Sequence, residues 1–457
     1  VYPKAQLGIH GLAFKAGLIG ANLTESQFGL ASIKFRWNVS GTYMQAVPRL
    51  FSTNAKGTDE KEFLTDFFPS MSKMATNIFL KGYQWPFDPQ KIENLQSSLV
   101  DIIVFNETQK GRRVYMDFLH NPIGPCQRQA GAGSDSMDEF SIDDLEPEAK
   151  EYLQKAGALQ NTPIERLAHM NTPAIEIYKE NGIDLYSEPL EIAVCAQHNN
   201  GGFAVNNWWQ SNIQHTFIIG EMAGTHGVKR PGGSALNAGQ TGGLRAAEYI
   251  VNVHGCELAD YSNNRSEIDK QLSDIVTGLE RYQNPAGLNP KKVLEEIRSR
   301  MTASGGHIRE SNDAQKALKD AVNLYKDIKE KGFNSKNNRA VITSLQAEHL
   351  ALTSIGYLKA VVELLEQGSG SRGSHLVLAE DGNEIHPDVI DKATGKPLKF
   401  KPENQLLRST VLQIEYDESS PDLFRSDTVE LRPAPTERKA FEPAWQEYRE
   451  GKIYGGN

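Results

Sequence analysis

Cysteine is scarce: the 457 residues contain three, Cys126, Cys195 and Cys256, with no Cys-x-x-Cys pair. This excludes a disulfide scaffold and a cysteine-rich zinc or iron–sulfur site, so no metal is expected and a reducing cytoplasm is the expected setting. Long apolar runs are missing too, and without about 18 consecutive apolar residues no transmembrane segment is expected. Positive charge is in deficit, 49 Lys and Arg against 58 Asp and Glu, for a net charge of -9. That balance argues against nucleic acid as a partner, because phosphate binding needs a concentrated basic surface. Val1 is not a translation start, and the opening VYPKAQLGIHGLAFKAGL lacks the regions of a secretion signal, so a processed, truncated or partial chain is expected. Asn22, Asn38, Asn106 and Asn264 stand in glycosylation-type sequons, patterns short enough to arise by chance.

What is present is ordinary for a globular chain: 39% hydrophobic and 23% charged residues, in a length that suits about three domains. Leu7 to Gly17 reads as a short helix closed by Gly17. Ala21 to Arg49 is rich in β-formers, and Arg112 to Phe118 alternates as a strand does. Lys61 to Leu80 and Asp88 to Thr108 carry helical periodicity, the second opened by Asp88-Pro89. Gly131 to Lys150 turns acidic and reads as a solvated surface insertion. Helical segments continue through Tyr178, and Leu190 to Ala196 has the pattern of a buried strand. A hairpin-like region follows through Trp208, then a strand at Thr216 to Ile219. Helix resumes from Leu244 to Val253, and from Glu267 to Gln367 the chain is nearly all helical. Leu318, Val322, Tyr325 and Ile328, then Leu345, Leu352, Ile355 and Leu358, recur at helical spacing and predict a bundle. Short strands are expected beyond Leu376.

The most informative stretch is GEMAGTHGVKRPGGSALNAGQTGG, Gly220 to Gly243, with eight glycines and the cations Lys229 and Arg230. Glycines let a ligand or a second backbone approach, and a helix N-terminus favours negative charge. The spacing is neither Gly-x-Gly-x-x-Gly at a first strand-to-helix turn nor a Gly-Lys-Ser/Thr loop. A cofactor or anion site and tight glycine-mediated packing both account for it.

Three landmarks in order carry a resemblance. Gly220-Glu221, then Gly224-Thr-His-Gly-Val-Lys-Arg230 and Gly233-Ser-Ala-Leu236, resembles the second flavin-binding segment of the fumarate reductase and succinate dehydrogenase flavoprotein family, which includes L-aspartate oxidase. Upstream, Gln197-His-Asn-Asn-Gly201-Gly202 stands where the family has His-x-Thr-Met-Gly-Gly, and downstream Ser371-Arg-Gly-Ser-His375 resembles its Ser-Arg-Gly-Ala-His. The resemblance implies an α/β and α+β multidomain fold. Residues 1–35 would be a partial FAD-domain segment, 36–186 an inserted capping domain, 187–255 the closing half of the FAD-binding domain, 256–372 a helical domain and 373–457 a C-terminal domain with short strands. It implies FAD as cofactor, with Gly201, Gly202, Gly220, Glu221, Gly233, Ser234, Ala235 and Leu236 as binding residues. Arg230 would grip a substrate carboxylate, for which a planar guanidinium supplies paired donors. The alternative for Arg230 is a structural partner.

Departures from the family pattern fall where chemistry is expected. Gln197 aligns with the family histidine and His198 follows one position later. Gln offers a hydrogen bond but no cationic form. On the plainer alternative His198 is merely packed. No His-Pro-Thr-Gly is present, and Gln27 to Ser32 occupies that region. The family's proton-donating arginine aligns near Ser97-Ser98, with Lys81, Arg112 and Arg113 as neighbouring cations. Nothing in Val1 to Arg49 resembles the βαβ unit that holds the ADP half of FAD. One expected partner is a separate N-terminal polypeptide. Another is a protein carrying an iron–sulfur cluster or haem, since three scattered cysteines cannot ligate a cluster. The expected function is hydride transfer between flavin N5 and a small carboxylate-bearing substrate. Its alternatives are an electron-transfer subunit, peripheral to a membrane through a partner, and an inactive scaffold.

Overall fold

The computed structural model describes residues 8–125, 137–255, 261–391, 394–433, 436 and 439–455. The chain divides into two compact units, one of Val1–Ser26, His198–Gly370 and Glu403–Asn457, the other of Gln27–Gln197 and Ser371–Pro402. The expected C-terminal stretch 373–457 is thus shared, with residues 373–402 going to the second unit. Cys126 and Cys256 lie outside the described residues, as does 131–136 of the acidic insertion.

The first unit is centred on helices Pro290–Ser304, Ser311–Lys331 and Asn338–Glu366. Ser311–Lys331 buries Ala314, Leu318, Ala321, Val322, Tyr325 and Ile328, one face of a 3.6-residue period. The Glu310 carboxylate accepts from the Asn312 and Asp313 amides at its start, and Gly332, at φ 64°, ends it. Leu352, Ile355 and Leu358 are fully buried in the longest helix, whereas Leu345 is 39% exposed near its start. Helix Ile9–Lys15 lies against Asn338–Glu366 because Gly8 and Gly11 carry no side chain: a Cβ on Gly8 would stand 2.6 Å from the Leu350 nitrogen. A sheet ordered Phe424–Glu430, Thr410–Tyr416, Gly20–Ala21, Gly202–Phe203 completes this core, with Gly20 opposite both Ile414 and Phe203. Glu348 is buried here. Burial alone would raise its pKa, but the Tyr282 hydroxyl at 2.6 Å and the Lys329 and Lys15 ammoniums at 3.3 Å hold it down at about 2.

The second unit is built on a sheet ordered Ser26–Ser32, Leu190–Asn199, Arg113–Asp117, Arg49–Thr53. Arg49 pairs with Asp117 and Val114 with Ile192, placing Val114, Met116 and Ile192 on the buried side. Helices Met71–Leu80, Ser98–Gln109, Pro147–Lys155 and Pro163–Glu180 pack around it. Arg166 is buried and structural, donating to the Ala46, Gln160 and Asn161 carbonyls and to Asn121 Oδ1, and burial lowers its pKa to about 10.

Several sequence expectations shift. Asp88-Pro89 opens only a 3-10 turn, Pro89–Lys91; Asn94 and Leu95 then take positive φ, and the helix begins at Ser98. Thr216 to Ile219 forms no strand, only a bridge from Phe217 to Gln210. The helix expected from Leu244 starts ten residues earlier, as Ser234–Tyr249, with Gly242 buried against the Trp209 ring, where a side chain would not fit. No helix among the described residues is long and apolar enough to cross a membrane.

Candidate functional site

Strand Leu190–Asn199 delivers His198 to the first unit, and the chain then turns through Asn200, whose amide donates to the Glu25 carbonyl at 3.0 Å. The turn is possible because Gly201 and Gly202 carry no Cβ. One on Gly201 would fall on the Asn22 carbonyl, one on Gly202 on the Met222 carbonyl. Gly224 is similar, with the Ala21 carbonyl oxygen 2.8 Å away. These three glycines are taken up by backbone-to-backbone packing, which brings the turn Gly220–Met222 beside the end of the strand.

That packing sets Glu221 against His198. Glu221 Oε1 accepts from the Asn199 amide at 2.8 Å, and its Oε2 lies 3.7 Å from His198 Nε2. Asn200 donates through Nδ2 to the Val228 carbonyl, which turns its Oδ1 toward His198 Nδ1 at 3.2 Å. Nδ1 therefore carries the proton and Nε2 presents its lone pair. Nε2 is buried and makes no hydrogen bond among the described residues. The ring of His226 meets that of His198 edge-on, centroids 4.8 Å apart, and both of its nitrogens are likewise buried without a hydrogen bond.

Electrostatics keep both rings neutral. Burial, reinforced by the positive charge of Arg230 and opposed by Asn200, lowers His198 from its ordinary 6.5 to about 4. His226 is lowered by burial, by His198 and by Arg230, against the pull of Glu221. Arg230 is half-buried, donates to the Pro231 carbonyl at 3.3 Å, and has its own pKa lowered by burial, with Glu221 opposing. A guanidinium with that starting value stays charged, so the site at neutral pH is one cation beside two neutral imidazoles and a carboxylate.

Beyond Arg230, Gly233 takes φ 78° and opens helix Ser234–Tyr249 with no side-chain cap. Ser234 Oγ turns back to the Pro231 carbonyl at 2.8 Å, and the helix start has no side-chain cap. A Cβ on Gly220, Gly232 or Gly233 would meet nothing within 4 Å, so the space on that side of each is open, although Gly220 and Gly233, at φ 67° and 78°, also suit glycine by backbone conformation.

Of the residues expected from sequence, His198, Glu221 and Arg230 are brought together. Gln197 is not with them: it belongs to the second unit, where its Nε2 donates to the Gly29 carbonyl at 3.0 Å and its Oε1 accepts from Arg36 at 3.1 Å. The cations considered as proton donors are all in ion pairs within the second unit, Lys81 with Asp101 at 2.7 Å, Arg112 with Asp59 and Glu107, Arg113 with Glu191. His226 and Asn200 were missed. The Gly-Thr-His-Gly motif contains His226, but only the fold shows that its ring stands on His198. Among the described residues no group of three or more His, Cys, Asp or Glu is placed to hold a metal.

No protein-family model matches the chain. It is 26% identical over 215 residues to a polypeptide of the CoM/CoB fumarate reductase of Methanothermobacter marburgensis, covering 45% of this chain and 36% of the relative. An uncharacterized FAD-dependent oxidoreductase of Methanocaldococcus jannaschii is 24% identical over 336 residues, 71% of this chain and 51% of the relative. An L-aspartate oxidase of Acinetobacter baylyi is 27% identical over 201 residues, 44% and 34% of the two chains. The chain thus spans between about a third and half the length of these relatives. In fold it matches the FrdA chain of Escherichia coli quinol fumarate reductase with a TM-score of 0.57 at 15% identity, over 95% of this chain and 64% of that one. By sequence and by fold, then, this chain is similar to the flavoproteins of fumarate reductase and succinate dehydrogenase and to L-aspartate oxidase.

Proposed function

We propose that the chain forms the substrate-orienting half of an FAD-dependent oxidoreductase acting on a small carboxylate-bearing substrate. The observation that carries this reading is the clustering of Arg230, His198, His226 and Glu221 beside an uncapped helix N-terminus and open glycines. The residues fit the cofactor: the open backbone at Gly220 and Gly233 would admit a flat ring, and the uncapped first turn at Ala235 and Leu236 would suit an anionic ring edge. Glu221, with one oxygen held by Asn199, keeps the other for a ribityl hydroxyl. Gly201 and Gly202 would support the cofactor only indirectly, by setting the position of Glu221. The chemistry FAD supplies when bound is hydride exchange with the substrate.

This chain's own residues do the rest. Arg230 pairs with the substrate carboxylate and fixes its orientation, an interaction on the order of 1.5–3 kcal/mol. His198 Nε2, a lone pair that accepts no hydrogen bond, takes the proton released when the substrate is oxidised and returns it in reduction. Its ring is held for this by Asn200 on one side and His226 on the other.

Exposed apolar surface in the first unit supports a partner there. Leu236, Leu244 and Val251 are 78%, 63% and 68% exposed, and helix Arg265–Glu280 buries nothing while exposing Ile268, Leu272, Ile275 and Val276. A dinucleotide-binding polypeptide seated there would cover this apolar surface and complete the cofactor site. Relatives named as subunits favour a further electron-transfer partner. The internal engagement of Gln197 favours the scaffold reading instead. A visible absorption spectrum decides between these: the chain joined to, or co-expressed with, a dinucleotide-binding segment from its own organism is expected to show a flavin band. Absence of the band in every preparation would leave the scaffold reading standing.

A further inference from the structure

The second unit holds a cavity of about 450 Å³ lined by Gln45, Phe79, Tyr83, Glu148 and Tyr152. Phe79 lies in the last turn of helix Met71–Leu80 and Tyr83 in the turn that follows it, while Glu148 precedes Tyr152 by four on helix Pro147–Lys155 and shares its face. Phe79 is fully buried, while Tyr83 and Tyr152 are 46% and 43% exposed. Both tyrosine rings stand steeply on Phe79, Tyr83 at 79° with centroids 6.1 Å apart and Tyr152 at 66° and 5.3 Å. Phe79 thus buttresses from beneath the two tyrosine rings that wall the cavity.

The polar groups at the rim are acceptors of positive charge. Glu148 accepts the Tyr83 hydroxyl, and Gln45 Oε1 accepts the Tyr152 hydroxyl at 3.4 Å. No Lys, Arg or His lines the cavity. Neighbouring lysines are committed elsewhere, Lys73 to Glu146 at 2.7 Å, Lys150 to Asp143 at 2.9 Å and Lys155 to Glu151 at 2.5 Å. Glu148 therefore has no cationic partner among the described residues.

We propose that this cavity binds a small organic cation of the alkylated-ammonium class. Aromatic faces carry negative quadrupole potential and attract a cation within about 6 Å, and the carboxylate adds a full charge. A metal ion or bare ammonium would have to shed tightly held water, which rings cannot replace. An alkylated ammonium sheds little and offers apolar surface to the two exposed tyrosine rings. An anion would meet Glu148 with nothing to offset it.

Calorimetric titration of the full chain with choline, beside its neutral carbon isostere of the same shape, tests this without any variant. Saturable choline binding is expected, with the isostere about tenfold weaker or more. Glu148→Gln is expected to weaken choline about three- to tenfold, and Tyr152→Leu by a similar factor, while Arg230→Ala leaves it unchanged. Glu148 and Tyr152 are both exposed, and far-ultraviolet circular dichroism checks that each variant folds. Equal binding of choline and the isostere, or no saturable choline binding at millimolar concentration, overturns the proposal.

Discussion

Two groups of glycines meet at the candidate site, and they differ in what occupies the space a side chain would take. At Gly201, Gly202 and Gly224 that space is filled by the carbonyls of Asn22, Met222 and Ala21. At Gly220, Gly232 and Gly233 nothing stands within 4 Å. The first group joins a strand end to a turn and so fixes the distance between His198 and Glu221. The second leaves backbone bare beside Arg230 and a helix N-terminus. Glycine content alone does not distinguish these uses; the neighbour of the missing Cβ does.

The sharpest way to break this contrast is Gly202→Ala, expected to destabilise the fold by about 3 kcal/mol or more, since backbone cannot move aside as a side chain can. Urea unfolding measures it, and a loss below about 1 kcal/mol would remove the distinction between the two groups. Next in size is Arg230→Ala. In the flavin-loaded protein it should lower kcat/KM about 10- to 100-fold while leaving the unfolding midpoint in place, with Arg230→Lys between, because an ammonium keeps the charge but loses the paired donors.

A third test concerns the ring held by the packed glycines. Proton resonances of His198 should titrate near pH 4 rather than 6.5. The sign of its linkage follows: as pH falls from about 6.5 toward 4, the unfolded chain takes up a proton at this residue and the folded chain does not, so stability is lost across that window. His198→Asn should lessen that slope by one residue's share, His10, His226, His307 and His349 supplying the rest, and an unchanged profile would show that this ring takes up its proton at the same pH folded and unfolded. The smallest expected effect is Gly232→Ala, within about 0.5 kcal/mol in stability. The same change should reduce flavin retention, a separation that Gly202→Ala cannot show.

Much of this architecture was legible in the residues. Leu318, Val322, Tyr325 and Ile328 recur at helical spacing, and a hydrophobic face repeated over several turns has only one local conformation that buries it. Gly17, at φ 90°, stands just past helix Ile9–Lys15 as expected, because such a preference acts within a few residues. Asp88-Pro89 misled for the complementary reason: an N-cap and a proline start a turn, but continuing it needs the next residues, and Asn94 and Leu95 take positive φ instead. Thr216 to Ile219 has strand composition yet finds only Gln210 to bridge to among the described residues, and strand formation is decided by the partner.

The candidate site divides along the same line. By itself the sequence determined that a glycine-rich stretch with Glu221 and Arg230 leads into a helix, since these are neighbours along the chain. Tertiary structure alone decided that Gln197 is tied to Arg36 and Gly29 while His198, one residue on, stands beside Glu221 and His226. Successive residues of a strand point to opposite faces, so a single position exchanges one set of partners for another, and those partners come from segments that only folding brings near.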